Sequence, residues 1–464
     1  MREQLHQDAQ TIITRSIQAV LPDEAVRRAL QGRSFPGNVV LVAAGKAAWQ
    51  MAKAACGVLS VTAGVVISKY GHCGGALEGL VCYEAGHPVP DENSFRATQA
   101  ALDLTAHLTG SDTVLFLLSG GGSALLEQPL VSGEELQDIT GQLLACGADI
   151  VEINTIRKRL SGVKGGRFAQ HCAPAKVFSI VLSDILGDPL DMIASGPACA
   201  DSSTCADARM IAEKYALRLS KDARQLLDLE TPKTLDNVET VVTGSVRELC
   251  SAAANCCRDL GYAPVTLTDR LCCEAREAGS FLASIARTHA ETHHSLAILA
   301  GGETVVHLTG DGLGGRNQEL ALAAAPGIEG LENVLVFSLG SDGTDGPTDA
   351  AGGIVDGASA AALREKGLSI HQILAKNDAY HALKSVNGLI FTGPTGTNVN
   401  DISVVLIQKN RNRSSVASSG NALNSNAAGP KALQYFWLRR KGRHCWPGPP
   451  PLGGHCADGP WPPW

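Results

Sequence analysis

Aromatic residues make up only 4% of this 464-residue chain, and fifty glycines accompany them, a balance that favours an α/β protein with many tight turns over a β-sandwich. No apolar run reaches the length of a membrane span, and the polar amino end, Met1 to Asp8, has no apolar signal-peptide core. A cytoplasmic protein that engages no membrane is the expectation. The formal net charge is -7 and no basic stripe precedes the tail, so no nucleic-acid footprint is present and any polyanion must be bound locally.

The fourteen cysteines contain no CxxC. Cys256-Cys257 and Cys272-Cys273 are adjacent pairs that cannot chelate one ion well, so reduced thiols are expected. A Walker-type GxxxxGK(S/T) loop, a GxSxG nucleophile elbow and an EF-hand loop are all missing, and none of His72, His87 and His307 has the context of a catalytic base. A GxGxxG does occur at Gly310, Gly312 and Gly315, but it follows a hairpin-like pair of short strands. No acidic residue stands at a strand end about twenty positions on to hold a ribose, which argues against a nicotinamide-dependent reductase.

Length alone calls for at least two domains. Apolar strand-like runs at 38–44, 65–68, 112–118 and 175–183 alternate with helical spacing at 5–20, 91–108 and 134–146, which predicts βαβ units and a mostly parallel sheet. The strand–helix series restarts near 238 and turns richer in short β-runs from Ser295: 296–300, 304–308, 333–337 and 388–391. The domains are therefore expected at 1–230 and 231–408, with a different kind of text at 409–464.

Four Gly/Asp/Ser loops follow apolar strands. They are Ser119-Gly120-Gly121-Gly122-Ser123, the run from Ser183-Asp184 to Gly187-Asp188-Pro189, Gly310 through Gly312, Gly314 and Gly315 to Arg316, and Ser341 to Thr348. Backbone amides bared by glycine can close around an anion, and ligands of parallel sheets sit at the carboxyl ends of strands. Lys46, behind Gly45, places an ammonium at another strand end, and Arg316 offers a bidentate clamp for phosphate or carboxylate. Asp342, Asp345 and Asp349 crowd three carboxylates into one loop, a pattern a hard cation such as Mg²⁺ would relieve. These features together read as a polyphosphate and metal site.

The same residues carry a family resemblance. Ala44-Gly45-Lys46-Ala47, Gly86 to Asp91, Leu118 to Leu125, Ile153 to Lys158, Ser161 to Gly166, Ala194 to Pro197, Gly301 to Thr304, Gly314 to Glu319, the Asp342 loop and Thr392 to Val399 run in the order of the class II glycerate kinases, the MOFRL-containing family. The chain is similar to that family from its start to about residue 407. The resemblance implies an amino-terminal Rossmann-like domain, a carboxy-terminal α/β (MOFRL) domain and an active site in the cleft between them. It further implies transfer of the γ-phosphoryl of ATP to the 2-hydroxyl of D-glycerate with Mg²⁺, and a catalytic set of Lys46, Arg316 and Asp342. Ser119 to Ser123 with Gly312, Gly314 and Gly315 would cradle anions, and Asp184, Asp188 or Asp345 would hold the metal. Partners are then a small acid and a nucleotide, with a homo-oligomer left open.

Residues 409–464 are Asn/Ser-rich, then basic, then dense in proline and glycine, a text that cannot bury a core. The segment holds four of the five tryptophans, Trp437, Trp446, Trp461 and Trp464, and is expected to be disordered and dispensable.

Overall fold

The computed structural model describes residues 1–409, so the expectation for the tail falls outside the described residues. Six strands build the first sheet: β1 (Val39–Ala44), β2 (Ala63–Lys69), β3 (Leu80–Ala85), β4 (Thr113–Leu118), β5 (Lys176–Leu182) and β6 (Val238–Gly244). They lie all parallel in the order β3-β2-β1-β4-β5-β6, the doubly wound arrangement. β1 and β4 are buried along their whole length, as their unbroken apolar text requires of strands covered on both faces. Alternate residues feed two cores, Val42, Ala44 and Phe116 on one face and Leu41, Ala43 and Leu117 on the other. The helix foreseen at 91–108 runs Glu92–Thr105. Asp91 and Ser94 close its start with a reciprocal capping box, because the acid accepts the free Ser94 amide.

The strand order reverses between β1 and β4, whose carboxyl ends pair as Ala44 with Leu118. In open parallel sheets ligands bind at such a switch point, and the loops leaving these two strands are Gly45-Lys46 and Ser119-Gly120-Gly121.

The second sheet contains β7 (Ala263–Leu271), β8 (Leu296–Gly302), β9 (Val334–Gly340), β10 (Gly352–Asp356), β11 (Leu389–Ile390) and β12 (Asp401–Ile407) in the order β11-β10-β9-β12-β8-β7. β12 runs antiparallel between β8 and β9, so the carboxyl ends of β8 and β9 share one edge. Asp401, the first residue of β12, sits between them opposite Gly302 and Gly340. One register thus gathers Glu303, Asp342 and Asp401 at a single edge.

Two expectations change. A boundary at 230 would cut off β6, which closes the first sheet beside β5. Helix Arg2–Ala19 instead packs Leu5, Ala9, Ile12 and Ile13 into the core of the second sheet with Leu249, Phe337 and Val404. The lobes are therefore not consecutive in the chain. The run 304–308 is not a strand: the pairing of β8 with β12 stops at Gly302 opposite Asp401, and among the described residues the run keeps only two backbone bonds, the Val305 amide to Cys273 and the Ala275 amide to Val305. Val305 makes only an isolated bridge to Glu274, and Leu308 is 77% exposed.

Candidate functional site

The Lys46 amide donates to the Gly120 carbonyl (2.9 Å), the Ser119 amide to Ala44 (3.0 Å), and the Ala47 amide to Ser119 Oγ (3.1 Å). These bonds spend the Ser119 hydroxyl on structure, while none of the described residues accepts from the amides of Gly120 and Gly121. A Cβ on Gly120 would lie 2.4 Å from Asp184 Oδ2, so glycine is what lets the carboxylate reach the loop. Beneath the loop, the Ser123 carbonyl accepts from Lys164 Nζ (2.8 Å) and Arg157 Nη2 (3.1 Å), and Lys164 pairs with the fully buried Glu127 (3.1 Å). Ser123 is thus an anchor point, braced by two cations.

A cavity of about 300 Å³ opens here, lined by Lys46, Ser119, Gly120 and Asp184 from the first lobe and by Asp342 and Asn398 from the second. Asp342 Oδ1 accepts from the Thr344 amide (3.0 Å), which fixes the turn that presents it. Asn400 bridges the lobes, donating Nδ2 to the Asp184 carbonyl and to Glu303 Oε2 (3.1 Å each). Burial raises the Asp184 carboxyl above its ordinary range and the Glu303 charge adds to this, while Lys46 pulls the other way.

Arg316 opens helix Arg316–Ala324 and lines a neighbouring cavity of about 600 Å³. Its Nε and Nη2 hold Asp401 bidentately (2.5 and 3.0 Å), and Nη1 reaches Glu303 (3.0 Å). Desolvation alone would lower the guanidinium; the Asp401 bonds and charge outweigh it and keep Arg316 firmly protonated.

The predicted metal set does not converge. Among the described residues no group of three or more His, Cys, Asp and Glu side chains is arranged to hold an ion. Asp184 is in the cavity, whereas Asp188, in left-handed backbone at φ 54°, lies within electrostatic reach of Arg247. Asp345 caps the Arg316 helix: Oδ1 accepts from the Asn317 amide (3.1 Å) and Oδ2 from that of Gln318 (2.8 Å). Its burial pushes the carboxyl up to about 7 in spite of these donors. Asp345 therefore satisfies a helix end.

Of Gly312, Gly314 and Gly315, only Gly312 has its amide taken up by the chain; those of Gly314 and Gly315 have no acceptor among the described residues. The Gly310 amide donates to Asn377 Oδ1 (2.9 Å), that of Gly312 to the Lys376 carbonyl (2.8 Å), and that of Leu313 to Asp378 Oδ1 (3.0 Å). A Cβ on Gly315 would fall 2.3 Å from the Asp345 carboxyl carbon, so this glycine makes room for a carboxylate of the chain rather than for a ligand.

Sequence reasoning passed over several neighbours. His72 lines the Lys46 cavity, and His87 packs against Gly121, where burial first and then Lys46, Lys69 and His72 lower its pKa. Glu303 and Asp401 follow or begin strands beside glycine or asparagine, the one signal that could have marked them. A larger cavity near Asp8, Tyr262, His293 and Gln408 opens at the opposite edge of the second sheet and holds none of the predicted residues.

Residues 8–228 match a family model described as a domain of unknown function, DUF4147, and residues 296–401 match the MOFRL family. The chain is 52% identical to a D-glycerate 2-kinase of Thermotoga maritima, over 87% of this chain and 99% of that one. It is 40% identical to a glycerate 2-kinase of Pyrococcus horikoshii, over 87% and 97%. An Agrobacterium vitis relative, 40% identical over 80% of this chain and all of its own, bears hydroxypyruvate reductase in its name. The crystal structure of Thermotoga maritima glycerate kinase superposes with a TM-score of 0.84, covering 87% of this chain and 100% of that one. No helix among the described residues is long and apolar enough to cross a membrane.

Proposed function

Because the chain belongs to the MOFRL-containing glycerate 2-kinase family, we propose that it transfers the γ-phosphoryl of ATP to the 2-hydroxyl of D-glycerate. One observation carries the reading: Lys46 and Gly120, with its open amide, at the first sheet's switch point share a small cavity with Asp342 of the second lobe. Phosphoryl transfer is mostly positioning and charge neutralisation, and this set provides both. Lys46 and the glycine amides neutralise the transferring phosphoryl group. Asp342 orients the glycerate hydroxyl and takes its proton. Arg316 keeps Asp401 and exchanges the more exposed Glu303 for an anionic group of the substrates.

Mg²⁺ fits the donor chemistry of the cavity through Asp184. A carboxylate whose charged form is penalised by burial and by Glu303 is one a cation would relieve, and Mg²⁺ commonly takes only one or two carboxylates, with waters and phosphates completing its shell. Bound there, the ion would supply charge neutralisation of the phosphates.

Purified protein should release ADP when given ATP, Mg²⁺ and D-glycerate, with 2-phosphoglycerate as product. Oxidation of NADH by hydroxypyruvate at comparable rates, without ADP formation, would overturn the assignment. That outcome is disfavoured by the GxGxxG loop, whose Gly310 and Gly312 amides are occupied by the chain itself.

A further inference from the structure

The 600 Å³ cavity beside Arg316 has an unusual wall. Val305 and Leu308, displaced from the sheet, are 56% and 77% exposed at its edge, and Val306 and Pro347 continue the apolar surface. Large aliphatic side chains left in water around a concavity mark a binding site. The glycine loop that forms the opposite wall has turned its Gly310, Gly312 and Leu313 amides into the protein, and Asp345 closes the helix start behind it. The amides of Gly314 and Gly315, beside Arg316, have no acceptor among the described residues, so donors remain next to the guanidinium, while Val305, Val306, Leu308 and Pro347 offer carbon that suits an uncharged planar group. The single cation, Arg316, stands on the side of Asp401, Asp342 and Gly340.

Size points the same way. The Lys46 cavity, at about 300 Å³, lies at the bottom of the range of ligand pockets, roughly 300–1,000 Å³, and holds a three-carbon acid and a phosphoryl group but no base as well. D-Glycerate has no apolar surface to bury against Leu308. A nucleoside has.

We propose that this second cavity takes the base and ribose of the phosphoryl donor, with the polyphosphate passing Arg316 toward Lys46. The assignment rests on the phosphoryl-transfer reading and names the subsite that reading lacks. It also gives the segment 304–308 a function: it is an apolar wall, kept out of the sheet and open to a ligand.

Leu308→Asp and Val305→Asp test it, because both side chains are exposed and neither belongs to the phosphate or glycerate machinery. KM for ATP should rise at least tenfold in each variant, with kcat and KM for D-glycerate within twofold of the parent. The Kd of a fluorescent N-methylanthraniloyl-ADP, measured without glycerate, should rise by a similar factor. Inhibition by inorganic tripolyphosphate, which lacks a nucleoside, should be unchanged. An ATP KM within twofold of the parent, or a parallel loss of tripolyphosphate inhibition, overturns the nucleoside site. A change in oligomeric state with unchanged nucleotide binding also overturns it, by making the surface an interface between copies. Absence of ADP formation by the unmodified protein would instead sink the kinase reading itself.

Discussion

Replacing Arg316 by alanine should harm the enzyme twice, and the structure allows the two effects to be separated. Asp401 is buried, with 7% of its side chain exposed, and receives two guanidinium bonds; Arg316 is 35% exposed. Removing one partner of a buried pair costs about 3–5 kcal/mol because the other charge is stranded, and the open side of Arg316 puts this case near the low end, about 3 kcal/mol. At about 2–4 °C per kcal/mol for a lobe of this size, Tm should fall by roughly 6–12 °C. Loss of the cation from the transferring group should separately lower kcat/KM on the order of 10²–10³-fold. Arg316→Ala combined with Asp401→Asn removes the stranded charge, so thermal denaturation should recover most of the lost Tm while a coupled ADP assay shows no recovery. If the double variant returns to within tenfold of parental kcat/KM, Arg316 acts only by neutralising Asp401, and its place in the chemistry is refuted.

Lys46→Ala should reduce kcat/KM about a hundredfold or more with little change in Tm, since no described side chain depends on its ammonium for a hydrogen bond or salt bridge; Asp342→Asn should lower kcat with little effect on nucleotide affinity. Steady-state kinetics decides both, and a large rise in the Mg²⁺ requirement of Asp342→Asn would make that residue a metal ligand instead. Asp345→Ala should cost about 1–3 kcal/mol by leaving two buried amides unpaired, Asp345→Asn clearly less, and neither should alter the Mg²⁺ titration of activity. His87, its pKa lowered from 6.5 by burial and by Lys46, Lys69 and His72, should make stability fall on acidification. Below its unfolded value the unfolded chain takes up a proton that the folded chain refuses, so stability rises with pH in that window and the group adds no slope above it. Melting curves between about pH 5 and 8 should show that acid-side slope shrink in His87→Gln; an unchanged slope would remove His87 as its source.

The parts legible in the sequence were those set by local pattern. Unbroken apolar runs such as 39–44 and 113–118 can only be strands buried on both faces, and a parallel sheet puts the loops after them at one edge, so Lys46 and the triple glycine were found together. The run 304–308 has the same β-branched text as a strand, and what denied it a ladder was the start of β12, about a hundred residues later, at Asp401 opposite Gly302, so that β12 does not reach along it. Asp345 failed for a related reason. Its spacing from Asp342 and Asp349 resembles a metal loop, but a carboxylate and a bare helix start attract one another, and the Arg316 helix, far away in sequence, supplied that start. Asp401 shows the limit most plainly: it reads as the first residue of a closing strand, and only antiparallel pairing against Gly302 and Gly340 brings it to Arg316. Charge placed by long-range register was invisible, while charge placed by a strand end was not. The placement of Lys46 and Asp342 at strand ends was therefore legible in the sequence, whereas that of Glu303, Asp401 and the apolar cavity beside them emerged only from the fold.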